Sequence, residues 1–221
     1  MKPRVSSPIN CEVCILAGGL STRMGRDKSR LRLDHRTMLT RVRAAARRLD
    51  LPLRVIRRDL KPGCGPLGGI YTALKSSCAD TVLFLACDMP FVSAALLRSL
   101  PRHLRHNTTA ATVMLDGQPG FPLLLRTSAL PVVADQIQRS RLSLHALVQL
   151  LKAKPVQLPR RLAWELMNVN TPADWAMARQ QDKLLIQSER GSFPKKAHRT
   201  QGGRGRRNSQ HAPLVKAPGH R

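Results

Sequence analysis

Two short apolar runs constrain this chain more than any other feature. "EVCILA", residues 12–17, stops on Gly18-Gly19, and "TVLFLAC", residues 81–87, stops on Asp88. Unbroken apolar runs this short, bounded by polar or glycine residues, predict buried strands rather than helices. Helical patterns surround them. Residues 37–49 (TMLTRVRAAARRL) have the apolar spacing, alanines and arginines of a helix. Residues 53–57 predict a second strand, 69–76 lead into a helix, and Ser93 caps a helix through Leu100. Residues 110–115 and 122–126 are further strand candidates, and 142–152 (LSLHALVQLLK) have helical spacing. Thr171 is an N-cap with Pro172 at the first helical position and Asp174 three residues after the cap, so a helix runs from Pro172 to about Gln181. Strands alternating with helices predict an α/β three-layer sandwich, a mainly parallel twisted sheet with helices on both faces.

Sheets of this kind bind ligands in the crevice beyond the carboxyl ends of their strands. Gly18-Gly19 leaves one such end and Asp88 leaves another. Asn168 and Asn170 close "ELMNVN" two residues apart, so an extended chain points both to one side. Features from distant parts of the chain thereby fall on one rim, which marks that rim as a site.

Length and charge bound the rest. A chain of 221 residues is one domain of ordinary size, here 1–187, followed by a tail of different composition at 188–221. The tail is rich in Gly, Ser, Pro, Lys, Arg and His and is expected to be disordered. The net charge is +25, of which Lys183–Arg221 supply nine, so the domain is basic as well as the tail. Anionic partners follow from that balance. The tail's cations suit weak, salt-sensitive contact with nucleic acid. No apolar run is long enough to span a bilayer, and no apolar core of a secretory signal precedes Ile15. The five scattered cysteines read as reduced thiols of a cytoplasmic protein. Cys11 and Cys14 form a C-x-x-C, but no second pair completes a zinc set, and the motif enters a strand instead of opening a helix. The histidines have no ligand-like spacing.

The stretch "LAGGLSTRMGRDK", 16–28, is not a phosphate loop of the Walker type, since five residues separate Gly19 from Gly25 and Lys28 follows three later. Its ingredients still suit phosphate. Gly18 and Gly19 let the backbone come close, and Arg23 and Lys28 neutralise charge, one as a fork and one as a point. A solvated turn with surface cations fits that spacing equally well. Asp88 is an apt hard-oxygen ligand for Mg²⁺ at a strand end, or a turn cap before Pro90. The glycines of "GCGPLGG" form either a plain loop or an opening for a flat ligand edge, with Asp59 placed to accept hydrogen bonds from a sugar or base.

"LAGGLSTRMGRDK" closely resembles the signature of the molybdenum cofactor guanylyltransferase-like nucleotidyltransferases. "DLKPGCGPLGGI" (59–70), "CDMPF" (87–91) and "NVNTPAD" (168–174) resemble that family's later motifs in the same order. The resemblance spans roughly residues 12–180. It implies a Rossmann-like, nucleotide-diphospho-sugar-transferase-like fold. It places Leu16, Ala17, Gly18, Gly19, Arg23 and Lys28 around GTP and makes Asp59 the acidic residue at the nucleoside. It makes Asp88 the Mg²⁺ ligand and sets Asn168 and Asn170 at the catalytic cleft. The family's nucleotide-contacting Asn after the second strand has no counterpart in "LPLRVIRRD".

The implied reaction is attack by a terminal phosphate of molybdopterin on the α-phosphorus of GTP, with pyrophosphate leaving. Arg23, Lys28 and Asp88 would be its catalytic residues. Within enzymes the alternatives are a relative that uses CTP or one with another phosphorylated acceptor. Outside enzymes the alternative is a nucleotide- or RNA-binding protein with a lapsed site. Aromatic residues at 3% give little platform for stacking single-stranded bases.

Overall fold

The computed structural model describes residues 10–18, 31–104 and 107–191. The strands are β1 (Cys11–Leu16), β2 (Arg32–Leu33), β3 (Arg36–Thr37), β4 (Leu53–Ile56), β5 (Thr81–Ala86), β6 (Ala110–Leu115), β7 (Gln118–Arg126) and β8 (Lys154–Gln157). The helices are α1 (Met38–Arg47), α2 (Pro66–Lys75), α3 (Ala94–Ser99), α4 (Leu130–Gln138), α5 (Leu144–Leu150) and α6 (Pro172–Gly191). Six strands form one sheet in the order β4-β1-β5-β7-β6-β8, and β2 and β3 pair separately. β1 is parallel to β4 and β5, β6 is parallel to β8, and β7 runs against both its neighbours. The sheet is thus mainly parallel, as the alternation of elements required.

Alternation along the strands builds two cores. Val13, Ile15, Leu83 and Leu85 pack with Val42 and Ala46 of α1 and Leu97 of α3. Cys14, Leu16, Val82 and Phe84 face the other way, toward Leu67 and Ile70 of α2, Val133 of α4 and Leu147 of α5. Cys11 and Cys14 fall on opposite sides of the sheet for the same reason. Burial pushes their thiols up to about 11 and about 12, so neither offers a thiolate to a metal or a disulfide partner.

Three departures from the sequence reading have local causes. β7 begins at Gln118 instead of 122, because Asp116 and Gly117 (φ 48° and 76°) close a two-residue hairpin with β6. The pairing register with β6 shifts between Thr112 and Val113, which accommodates Pro122, and β5 pairs β7 only over Leu123–Arg126, which leaves Pro119 without a strand on that side. α2 starts at Pro66 because Gly65 can open it at φ 56°, ψ −143°. α6 continues past Gln181 to Gly191, since Ala178, Asp182 and Leu185 recur on one face and turn it inward. The first four residues of the stretch expected to lack structure, 188–191, are therefore helical. Residues 192–221 lie outside the described residues.

A third, small core sits apart from the two sheet faces. Leu33, Met38, Phe91, Val169 and Ala178 form it, with Trp164, Trp175 and Leu185 packed around them. Both tryptophans of the chain are there. Among the described residues no helix is long and apolar enough to cross a membrane.

Candidate active site

The carboxyl ends of β1, β4 and β5 are held together beyond the strands themselves. The Ala17 N–H donates to the Ile56 carbonyl at 2.8 Å, and the Cys87 N–H donates to the Leu16 carbonyl at 3.1 Å. Gly18 therefore leaves the sheet between its two neighbours.

What lies beside Gly18 is the Asp59 carboxylate. A Cβ on Gly18 would come within 3.3 Å of the Arg57 carbonyl oxygen and 3.4 Å of Asp59 Oδ1. A Cβ on Gly68 would meet the Lys61 carbonyl oxygen at 2.7 Å and Asp59 Oδ2 at 2.9 Å. On Gly69 it would meet Leu16 Cδ2 at 3.0 Å and Asp59 Oδ1 at 3.4 Å. Asp59 thus sits in a seat made by three glycines, two of them in the first turn of α2. The loop is fixed from below: the Leu60 N–H donates to Thr72 Oγ1 at 2.8 Å, and that hydroxyl donates to the Gly68 carbonyl at 2.7 Å. Burial raises the Asp59 pKa above the ordinary carboxylate value. Among the described residues no hydrogen bond or ion pair to its carboxylate is present.

Asp88 follows β5, with its Oδ1 shielded from solvent. Its carbonyl accepts from the Val169 N–H at 2.9 Å, which lays the "NVN" segment along it. The two asparagines do not end a strand, as the sequence had suggested. A 3-10 segment at Arg160–Leu166 replaces that strand; Met167 is extended, and 168–171 has no regular secondary structure. Its path is held by the contacts on both sides. Val169 is fully buried in the small third core between exposed Asn168 and half-buried Asn170. Asp174 Oδ2 accepts from the Asn170 and Thr171 N–H groups at 2.9 and 2.8 Å, while Thr171 Oγ1 accepts from the Asp174 N–H at 3.1 Å. That reciprocal cap fixes where the segment enters α6.

Leu16, Ala17, Gly18, Asp59, Asp88, Asn168 and Asn170 thus gather at one rim. Gly19, Arg23 and Lys28 lie outside the described residues. Several supporting residues carry no motif-like signal. Buried Glu165 accepts from the Ser93 N–H at 3.1 Å and ties the 3-10 segment to the cap of α3. Thr72 looks like any helical threonine until its hydroxyl is seen under the loop. For a metal, no group of three His, Cys, Asp or Glu side chains occurs among the described residues. A single carboxylate, Asp88, fits a Mg²⁺ ion that takes its remaining ligands from substrate phosphates and water, and it does not fit an all-protein cage.

The fold has solved counterparts. Molybdopterin-guanine dinucleotide biosynthesis protein A from Archaeoglobus fulgidus superposes with a TM-score of 0.61 at 22% identity, covering 78% of this chain and 99% of that one. At that identity the likeness is one of fold. Two relatives are closer in sequence, both described as probable molybdenum cofactor guanylyltransferases. The one from Opitutus terrae is 34% identical over 72% of this chain and 90% of its own length. The one from Carboxydothermus hydrogenoformans is 35% identical over 75% and 93%. The family match and these relatives make the chain a nucleotidyltransferase. Residues 13–156 match the MobA-like NTP transferase domain, and the chain belongs to that family.

Proposed function

We propose that this protein transfers GMP from GTP to a molybdopterin-type acceptor, with release of pyrophosphate. The reading is supported above all by the meeting, at one rim, of the glycine seat around Asp59 with the Asp88 and Asn168–Asn170 segments. The names of the relatives at 34% and 35% identity add the guanylyl group and the molybdenum cofactor.

In this mechanism a terminal phosphate oxygen of the acceptor attacks the α-phosphorus of GTP. The bond from that phosphorus to the β-phosphate bridging oxygen breaks, and pyrophosphate leaves with the electron pair. The attacking phosphate is already anionic, so no general base is needed. The protein's work is positioning and charge stabilisation. Gly18 and Gly19 admit the triphosphate to the backbone, and Arg23 and Lys28 offset its charge. Asp59 accepts from guanine N1–H and the exocyclic amine, or from a ribose hydroxyl. Asn168 and Asn170 orient the reacting phosphates. Asp88 would hold Mg²⁺, which supplies neutralisation of the phosphate oxygens when bound.

Isothermal titration of the full-length protein with GTP, CTP and ATP in Mg²⁺, paired with pyrophosphate release in the presence of molybdopterin, tests the reading. GTP is expected to bind most tightly and to turn over. Tighter CTP binding would move the protein to cytidylyl transfer. No binding of any of the three would make it a lapsed site.

A further inference from the structure

The family match ends at residue 156, yet the rim is completed by a segment and a helix beyond it. Arg41 of α1 joins the two parts. Its Nη2 lies 2.6 Å from Asp182 Oδ1 on α6, and both side chains are largely buried, at 17% and 9% exposure. Its Nε donates to the Leu33 carbonyl at 3.3 Å, on the first strand after the "LAGGLSTRMGRDK" stretch. Its guanidinium carbon lies 5.9 Å from the ring centre of Phe91, three residues after Asp88. Phe91 in turn meets Trp164 edge to face at 5.9 Å. One planar cation therefore links β2, the first strand after the glycine-rich stretch, the segment that follows Asp88 and the helix whose N-terminal cap holds Asn170.

We propose that Arg41, paired with Asp182, is a positioning residue for nucleotidyl transfer, and that α6 belongs to the catalytic apparatus through it. This role presupposes nucleotidyl transfer at the rim. Arg41 touches no reacting atom. It fixes the register of three segments that must act together on one triphosphate, where a misplacement of about 1 Å is costly. Only Arg can do this, because its fork and flat face serve three directions at once, and Lys would keep the charge and lose the other contacts.

The molecule supplies its own control. Glu12 and Arg54 form a pair of the same 2.6 Å length at the other end of the sheet. The test compares full-length Arg41→Lys, Asp182→Asn and Glu12→Gln with the parent, at a temperature where circular dichroism finds each folded. Pyrophosphate release gives kcat and KM, and hydrogen exchange reads the peptide covering 167–171. Arg41→Lys and Asp182→Asn are expected to lower kcat by up to about a hundredfold with KM for the nucleotide nearly unchanged, and to speed exchange in 167–171. Glu12→Gln is expected to lower the melting temperature and leave kcat and that exchange as they were. If the Arg41 and Asp182 variants lose melting temperature but keep parental kcat and exchange, the pair is only structural and the proposal is overturned. If the parent releases no pyrophosphate from any nucleotide, the functional reading fails by itself. The exchange measurement then decides the coupling alone, and unchanged protection of 167–171 overturns it. Should Asp182→Asn fail to fold, Arg41→Lys carries the same two outcomes.

Discussion

The two ends of the central sheet handle a carboxylate in opposite ways. At the amino end, Glu12 is 6% exposed and fully engaged. Arg54 donates to it from Nε at 3.0 Å and Nη2 at 2.6 Å. The same guanidinium reaches Ser76 Oγ at 2.9 Å and the Ala73 carbonyl at 3.1 Å, satisfying the last turn of α2. At the carboxyl end, Asp59 is pressed by three glycines and gains no partner among the described residues, and burial raises its pKa. One helix, α2, thus has its carboxyl end saturated by a side chain and its amino end opened by Gly65, Gly68 and Gly69. The difference teaches where this fold places stability and where it forgoes it. A group left without a protein partner is ready for a ligand, at a cost in folding free energy.

Substitutions at the two ends should separate accordingly. The largest effect belongs to Asp88→Asn. It is near-isosteric, so the melting temperature should barely move, while Mg²⁺-dependent pyrophosphate release should fall about a thousandfold or more. Near-parental turnover at saturating Mg²⁺ would remove Asp88 from the metal.

Next comes the amino end. Glu12→Ala leaves Arg54 facing a partly buried gap. Arg54 keeps 32% exposure, so the cost should be about 2 kcal/mol, below the range for fully buried pairs. Urea unfolding measures it. Turnover per folded molecule should be unchanged, and a drop there would mean that the two ends are coupled through β1.

Gly68→Ala should combine both kinds of effect. Its methyl would lie 2.7 Å from the Lys61 carbonyl and 2.9 Å from Asp59 Oδ2, so the 59–65 loop has to shift. A stability loss of about 1–2 kcal/mol is expected, with a raised KM for the nucleotide. Gly120→Ala on β7, where nothing lies within 4 Å, is the control. A normal KM for Gly68→Ala would show that the seat has no part in nucleotide binding.

The sequence made the architecture legible where apolar runs were continuous. β1 and β5 announce themselves, as does the Thr171-Pro172-Asp174 cap. Legibility failed where geometry depends on distant partners. The Asn168–Asn170 segment looked like a strand end because its alternation is real. Its path is set by Val169 in the small third core and by the Asp88 carbonyl, neither of which is a local signal. α6 was read ten residues short because its inward face includes Asp182, whose burial makes sense only with Arg41 opposite. The glycines of "GPLGG" were visible, but not that the missing side chains of Gly68 and Gly69 seat a carboxylate nine and ten residues upstream.

The smallest expected effect, Asp59→Asn, tests the comparison most directly because its sign is unusual. Burial raises the pKa of Asp59 above 3.8, so the folded state holds the proton more tightly than the unfolded state does. Stability from this group is complete below the ordinary carboxylate range. It falls as pH rises from that range through the raised value, and above it the penalty is constant. Replacing the carboxylate by a neutral amide removes the penalty. Asp59→Asn should therefore be more stable than the parent near neutral pH, by less than about 1 kcal/mol because the side chain is only partly buried. The gain should vanish in acid, where the parent is already neutral. Nucleotide affinity should move the other way and weaken, since an amide replaces one of the carboxylate's two accepting oxygens by an NH2 donor, which would face a donor of the nucleotide. Urea unfolding at neutral and acid pH, with nucleotide titration alongside, reads both. An Asn variant less stable than the parent at neutral pH would mean that Asp59 is held by a partner as firmly as Glu12 is, and the contrast between the two ends of the sheet would collapse.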